Sequence, residues 1–455
     1  MIQGYPSRAS VAPGERLVLH IATDAPRFRV VFYRWGDGPV PMRETCWLDG
    51  RYAARRGAAE DWQWPAYEFE IPRDWPSAVY IAHLDAPDGI PFDLAMTSAA
   101  ALFVVRGEGN GGGDGGKLLY KIPLATYHAY NATGGGCFYV NQPRSQEPPG
   151  ARVSLHRPGG GIGGETWGAL DHYDTSSPRQ TVAHWDARFI RWLLQNGYAP
   201  EFCTDFDIHH DPALCSRYRL LLCVGHDEYW SEATRDHVEA FVGQGGNVAF
   251  FGANLCWWRI HVVDDGAAMV CHQGGPRGAL DRWWPQTGAR RPEDALTGLS
   301  YRHGGGWWDG PRETEGYVVQ EPDHWAFAGT GLCKGDTFGG NTTPPLVGYE
   351  CDGAPLESFD KTRGRITLSP DAQRCATPPG FQVLAAGLLG SGWQERPPRE
   401  MHAANEGIHT ATMGVFTRTG TVFSAGTTDW AQVLASGQDA RVGIITRNVI
   451  EHLLH

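Results

Sequence analysis

Hydrophobic and polar positions alternate through the first hundred residues. Arg16-Leu17-Val18-Leu19-His20-Ile21 and Phe28-Arg29-Val30-Val31-Phe32-Tyr33 are rich in β-branched and aromatic residues, which suit a half-buried pleated surface. Pro13-Gly14-Glu15 turns the chain before the first run, and Ala78-Val79-Tyr80-Ile81-Ala82-His83 and Ala101-Leu102-Phe103-Val104-Val105 complete the set. Short strands punctuated by Pro and Gly predict an antiparallel β-sandwich over residues 1–106, read as an accessory or interaction module. Residues 107–117 are mostly glycine, cannot bury a core and read as a linker.

The period then changes. Leu118-Leu119-Tyr120-Lys121-Ile122-Pro123-Leu124 is an apolar strand that leads into Thr126-Tyr127-His128-Ala129-Tyr130-Asn131. Residues 186–197 carry apolar side chains at helical spacing and end on Asn196-Gly197, a helix stop. Strands follow at 199–204 and 219–225, the second apolar throughout, as a strand covered on both faces should be. Ser231 caps a helix that Gly245-Gly246 closes, and Asn247-Val248-Ala249-Phe250-Phe251-Gly252 is the next strand. Alternating β and α elements of these lengths predict an α/β unit over 118–455, a three-layer arrangement with a parallel sheet between helices. Residues 257–413, with Trp257-Trp258, Trp283-Trp284 and Trp307-Trp308, read as a long irregular insertion; strand and helix return at 414–426 and 444–450.

Composition narrows the function. The chain has 455 residues, 42% hydrophobic and 20% charged, which is globular. A net charge of -12 argues against nucleic acid, which wants a basic face. No apolar run approaches the ~20 residues of a membrane helix, and Met1-Ile2-Gln3-Gly4-Tyr5-Pro6 carries no signal-peptide pattern. The expectation is a cytoplasmic protein acting on a small molecule, with a homo-oligomer or a small accessory subunit as the partner class. The ten cysteines include no Cys-x-x-Cys pair and read as mostly reduced and buried.

Ligands of open parallel sheets bind beyond the carboxyl ends of the strands. Those ends hold Tyr127, Tyr130 and Asn131; Asp205 to Asp211; His226, Asp227, Glu228, Tyr229 and Trp230; Asn254; and Asp429. Several groups that are costly to desolvate, set directly after an apolar strand, point to a ligand. His226, Glu228, Asp227 and Asn254 are the candidate catalytic residues, and Tyr127, Tyr130, Asn131, Trp230 and Asp429 the candidate substrate contacts. Cys203 to Asp211 has metal-ligand composition without a recognised spacing, and reads rather as a turn and helix start. No Gly-x-Ser-x-Gly elbow is present, and Cys223 lies inside its strand, so metal-assisted or general-base hydrolysis fits better than a nucleophile triad.

The ordered set Thr126-Tyr-His-Ala-Tyr-Asn131, Trp192-Leu-Leu-Gln-Asn-Gly197, Val224-Gly-His-Asp-Glu-Tyr-Trp-Ser231, Val242-Gly-Gln-Gly-Gly-Asn-Val248 and Gly426-Thr-Thr-Asp-Trp430 resembles the large-subunit family of N,N-dimethylformamidase. The resemblance implies a class I glutamine amidotransferase-like sheet preceded by a lectin-like β domain. It also implies amide hydrolysis at a mononuclear Fe(III) held by two tyrosines and one glutamate. Tyr229 matches the motif tyrosine; Tyr127 and Tyr130 are open for the second, and Glu350, with Glu228 behind it, for the carboxylate. The alternatives are a metal-free, glycan-binding or carbohydrate-active protein and a non-catalytic partner subunit.

Overall fold

The computed structural model describes residues 1–87, 89, 91–95, 97–109, 117–140, 151–168, 170–273, 280–285, 288–395 and 407–455. Most of the predicted glycine linker therefore lies outside the described residues. Ile2–Pro6, Arg16–Thr23 and Ala66–Glu70 pair antiparallel into one sheet. Arg27–Trp35, Pro39–Glu44, Ala78–Asp85 and Ala100–Val105 form a second, with Ser10–Val11 at its edge. Alternation buries Leu17, Leu19 and Ile21 from the first sheet and Phe28, Val30 and Phe32 from the second. Phe32 meets Phe69 edge-on with ring centroids 5.4 Å apart, so the two apolar faces close on each other.

Among the described residues the main sheet has nine strands and is mixed, where the sequence predicts a parallel one. Glu201–Thr204, Leu118–Ile122, Leu220–His226, Asn247–Ala253 and Thr421–Ser424 run parallel. Thr410–Thr417, Gln382–Leu388, Gly316–Val319 and Thr337–Gly339 continue it antiparallel. The stretch expected to be irregular thus extends the sheet, through two strands of four and three residues and two longer ones whose nearly continuous burial shows no period. Thr126 to Asn131 is also not an extended strand end, since Leu124–Tyr130 is a short helix.

In the parallel half the strand period of two divides the core. Tyr120, Ile122, Leu222, Val224 and Phe251 pack with Phe189, Ile190 and Leu193 of the helix Asp186–Gln195 and with Val442, Ile445 and Val449 of Ala440–Leu454. Leu119, Leu221, Cys223, Val248 and Phe250 pack with Val238, Phe241 and Val242 of Glu232–Gly243. Ser231 caps that helix by accepting from the Thr234 amide. Cys203, Cys215, Cys223, Cys256, Cys271 and Cys351 are free and buried, whereas Cys46 and Cys333 are free and exposed.

The sheet also buries charge. Lys121 Nζ lies 2.5 Å from Asp227 and 4.0 Å from the centroid of the Trp230 ring. One lysine does not neutralise the acids around it, and burial pushes Asp205 and Asp186 each up to about 7. Asp186 meanwhile accepts from the hydroxyls of Tyr120 and Tyr127. Burial also pushes Asp352 up to about 8, although it accepts from the amides of Asn254 and Leu255. A carboxyl whose folded pKa exceeds its unfolded value of ~3.9 stabilises fully below that value and loses this as pH rises through the folded pKa. His128 and His209, held by burial at about 3 and about 4, oppose this trend only up to the unfolded histidine value, ~6.5. The urea midpoint is therefore expected to fall between pH 6.5 and 8.5, at up to ~1.4 kcal/mol per pH unit for each proton lost. Asp205→Asn should flatten that slope. A midpoint level across the interval would refute the burial argument.

Candidate functional site

Leu220–His226 ends in a turn that only glycine permits. Gly225 has φ 72°, and a Cβ there would lie 2.7 Å from the Trp185 side chain. The chain re-enters a strand at Tyr229–Ser231, which pairs in parallel with Trp258–Val263. The Thr126 hydroxyl accepts from the amides of Glu228 and Tyr229 at 3.0 and 3.3 Å and fixes the turn against the Leu124–Tyr130 helix. Successive side chains then diverge: Asp227 goes to Lys121, while His226 and Glu228 line up with Glu350.

Five buried groups meet here. His226 Nε2 is 2.8 Å from Glu350 Oε2 and 3.5 Å from Glu228 Oε2. Its Nδ1 faces Gln180 Oε1 at 2.9 Å, and Asn254 Nδ2 donates to Glu350 at 3.3 Å. Gln180 and Asn254 both hold left-handed backbone, φ 61° and 49°, a strain that tends to persist at functional sites. Burial disfavours the His226 imidazolium, but the Glu350 carboxylate outweighs it and lifts His226 above its ordinary value. Burial likewise pushes Glu350 up, and the imidazolium more than reverses this. Glu228 has no such rescue: burial, with Glu350 nearby, drives it up to about 7 against the pull of His226. Two acids in one enclosure are thus driven apart, the pattern that assigns different protonation roles to each.

A set of phenols borders the acids. Tyr130 donates to Glu228 Oε2 at 2.9 Å, and Tyr139 to the same oxygen at 3.1 Å and to the Tyr130 hydroxyl at 2.9 Å. Oxygen donors bound at right angles to a small cation at about 2.0–2.1 Å would lie about 2.9 Å apart, so these three atoms have the spacing of adjacent ligands. Tyr229, which matches the motif tyrosine, and Glu350, the first candidate for the carboxylate, flank the triangle. Tyr229 donates to Tyr139 at 2.5 Å and is held by Gln273; Glu350 is reached through His226. Burial pushes all three phenols well above their ordinary value, so a bound cation would have to favour their ionisation.

Glu228, Glu350, Asn254 and Tyr130 open onto a cavity of about 860 Å³, walled by Trp167, Trp257, Trp258, Trp308, Tyr301 and Tyr349. Tyr139 stacks on Trp167 at 4.7 Å, and Arg179 lies 4.0 Å from the centroid of the Tyr349 ring. The structure thus brings together His226, Glu228, Tyr229, Glu350, Asn254 and Tyr130. It sets apart Asp227, Trp230 (whose indole donates to Asp227), Tyr127 (bound to Asp186) and Asp429, paired with Arg312 at 2.5 Å. Asn131 donates to the Pro158 carbonyl and accepts from the Thr133 amide. Asp205–His210 is a helix, with Thr204 and Asp207 forming its capping box. Tyr139, Gln180, Gln273 and Arg282 were not singled out from the sequence. They lie in aperiodic loops whose only sequence signal is a high aromatic and glycine content.

The family described as N,N-dimethylformamidase beta subunit-like, C-terminal, matches residues 30–441 of this chain. The N,N-dimethylformamidase beta subunits of Alcaligenes sp and Paracoccus aminophilus are 32% and 31% identical to it over 78 residues, 17% of this chain. The matched part spans 10% of the length of each of these relatives.

Proposed function

The chain belongs to the N,N-dimethylformamidase beta subunit-like family, and from that membership together with the site geometry we propose that it hydrolyses amide-type C–N bonds in the aromatic cavity. The observation that carries the reading is the meeting of two phenols and the Glu228 carboxylate beside the His226–Glu350 pair. The nine-stranded sheet, read as an amidotransferase-type layer, is the scaffold that presents His226 at the end of Leu220–His226 and Glu228 just beyond it.

Tyr130, Tyr139 and Glu228 are the residues that would hold a ferric ion, whose Lewis acidity would polarise the amide oxygen. Glu350, ionised and aligned by His226 and Asn254, is placed to take the proton of an attacking water. His226, as the imidazolium, is the acid for the departing nitrogen, with Gln180 holding its far side. The tryptophan walls exclude bulk water and stack against a planar amide. A separate small subunit is the partner class this reading includes.

Purified protein is expected to carry iron stoichiometrically, with a visible tyrosinate-to-iron absorption. Tyr139→Phe and Tyr130→Phe should each bleach or shift that band and lower amide hydrolysis at least about 100-fold, on the scale of lost electrostatic stabilisation. Colourless, iron-free protein that hydrolyses no amide would sink the reading. Binding on a glycan array would then favour a carbohydrate-binding role for the aromatic cavity.

A further inference from the structure

The 860 Å³ cavity lies within the range suited to a drug-sized ligand, ~300–1,000 Å³. A simple formamide would leave most of it empty. Something larger is accommodated, and one wall residue indicates its charge.

Arg282 lines this cavity, yet among the described residues no carboxylate pairs with it and no group accepts from its buried Nε. Its guanidinium lies 5.4 and 5.1 Å from the ring centroids of Trp257 and Trp258. Burial works against its charge. The backbone that presents it is fixed: Trp258 and Arg282 form a β-bridge, and Arg259 donates its amide to the Asp281 carbonyl at 2.6 Å. The Asp281 side chain, fully buried, is held by Arg259, His261 and His272. A cation pre-positioned in a desolvated wall, drawn to Glu395 and Glu293 only at longer range and ion-paired to no carboxylate among the described residues, is complementary to an anion that arrives with the ligand.

The rest of the wall limits that anion. The other cavity arginine, Arg179, is engaged by Asp171 and the Trp308 carbonyl. Glu165, Glu228, Asp309, Glu350 and Glu395 face the same space. One uncommitted guanidinium among five acids suits a monoanion rather than a phosphate dianion. The planar fork of arginine pairs with a carboxylate through two parallel hydrogen bonds.

We propose that the substrate of this site is an amide that also carries a carboxylate, and that Arg282 binds that carboxylate against Trp257 and Trp258. The proposal rests on the amide-hydrolase reading for the reacting end of the substrate. It adds a second recognition point on the opposite chemical principle, charge instead of stacking.

The test compares N-formylglycine and N-formylphenylalanine with their uncharged primary amides, as substrates and as ligands, using the holoenzyme, Arg282→Gln and Arg282→Lys. Binding is followed by calorimetry and by tryptophan fluorescence, which respond whether or not turnover occurs. The charged compounds should be preferred about tenfold or more in kcat/KM and in affinity, the scale of one charge-assisted contact. In Arg282→Gln the preference ratio should fall to about one. Arg282→Lys, which keeps the charge and guards against a folding artefact, should retain an intermediate ratio and lower affinity. Equal handling of charged and neutral compounds by the native protein, or a preference that survives Arg282→Gln, would overturn the proposal. If no amide is hydrolysed, the hydrolase reading fails on its own, and the binding ratio still decides the role of Arg282.

Discussion

Glu228→Gln is expected to lower kcat/KM at least about 1,000-fold and to abolish the visible metal absorption in the same step. The carboxylate is the common acceptor of Tyr130 and Tyr139 and the near neighbour of His226. An isosteric amide keeps the volume but offers one neutral acceptor in place of an anion. Removing a ligand in this way forfeits the contribution of the metal as well as an electrostatic contact, which alone is worth about 100–1,000-fold. Glu228→Asp, which retains the charge one methylene further back, should keep part of the metal and part of the rate. Activity within tenfold of the native protein in Glu228→Gln would remove Glu228 from the centre of the mechanism. The side chain is buried among polar groups, so the variant's melting temperature should be recorded alongside; loss of rate without loss of fold is the expected pattern.

How much of this was legible in the sequence follows from where period and chemistry coincide. The run Leu220 to His226 is apolar because both sheet faces are covered, and the polar residues after it stand out for the same reason. That contrast located His226 and Glu228 without a structure. It did not separate Asp227, because neighbouring residues of a turn diverge: its side chain lies under the sheet with Lys121. The motif tyrosine drew attention to Tyr229, whereas the phenols on the carboxylate come from the end of the Leu124–Tyr130 helix and from a loop. Tyr139 follows three glycines, a cysteine and a phenylalanine, and no spacing announces it. The same holds for the antiparallel half of the sheet, in which strands of three and four residues rely on partners far along the chain. Local pattern identifies an element when its burial repeats. It is silent where burial is supplied by tertiary neighbours.

His226 and Glu350 provide the second large effect, and it should differ in kind from the first. Glu350→Gln and His226→Asn are each expected to lower kcat about 100- to 10,000-fold, the range for a lost general base or acid, while iron content and absorption persist. Neither side chain belongs to the phenol–carboxylate triangle, so metal retention is what distinguishes these variants from Glu228→Gln. Because the two act as one proton-handling pair, the double variant should be little worse than either single one. The pH response carries a further sign. In the native protein Glu350 holds the His226 imidazolium against burial. With a neutral glutamine in its place the largest charge opposing burial is gone and only Glu228 and Asp227 remain, so His226 falls from its raised value and less of the acid for the departing nitrogen is present at neutral pH. Residual activity of Glu350→Gln should therefore rise as pH is lowered below neutrality. His226→Asn has no proton there to regain, and its residual rate should show no such rise. Colourless Glu350→Gln protein would instead make Glu350 a ligand, and would shift the proton-handling role to the carboxylate that Tyr130 and Tyr139 share.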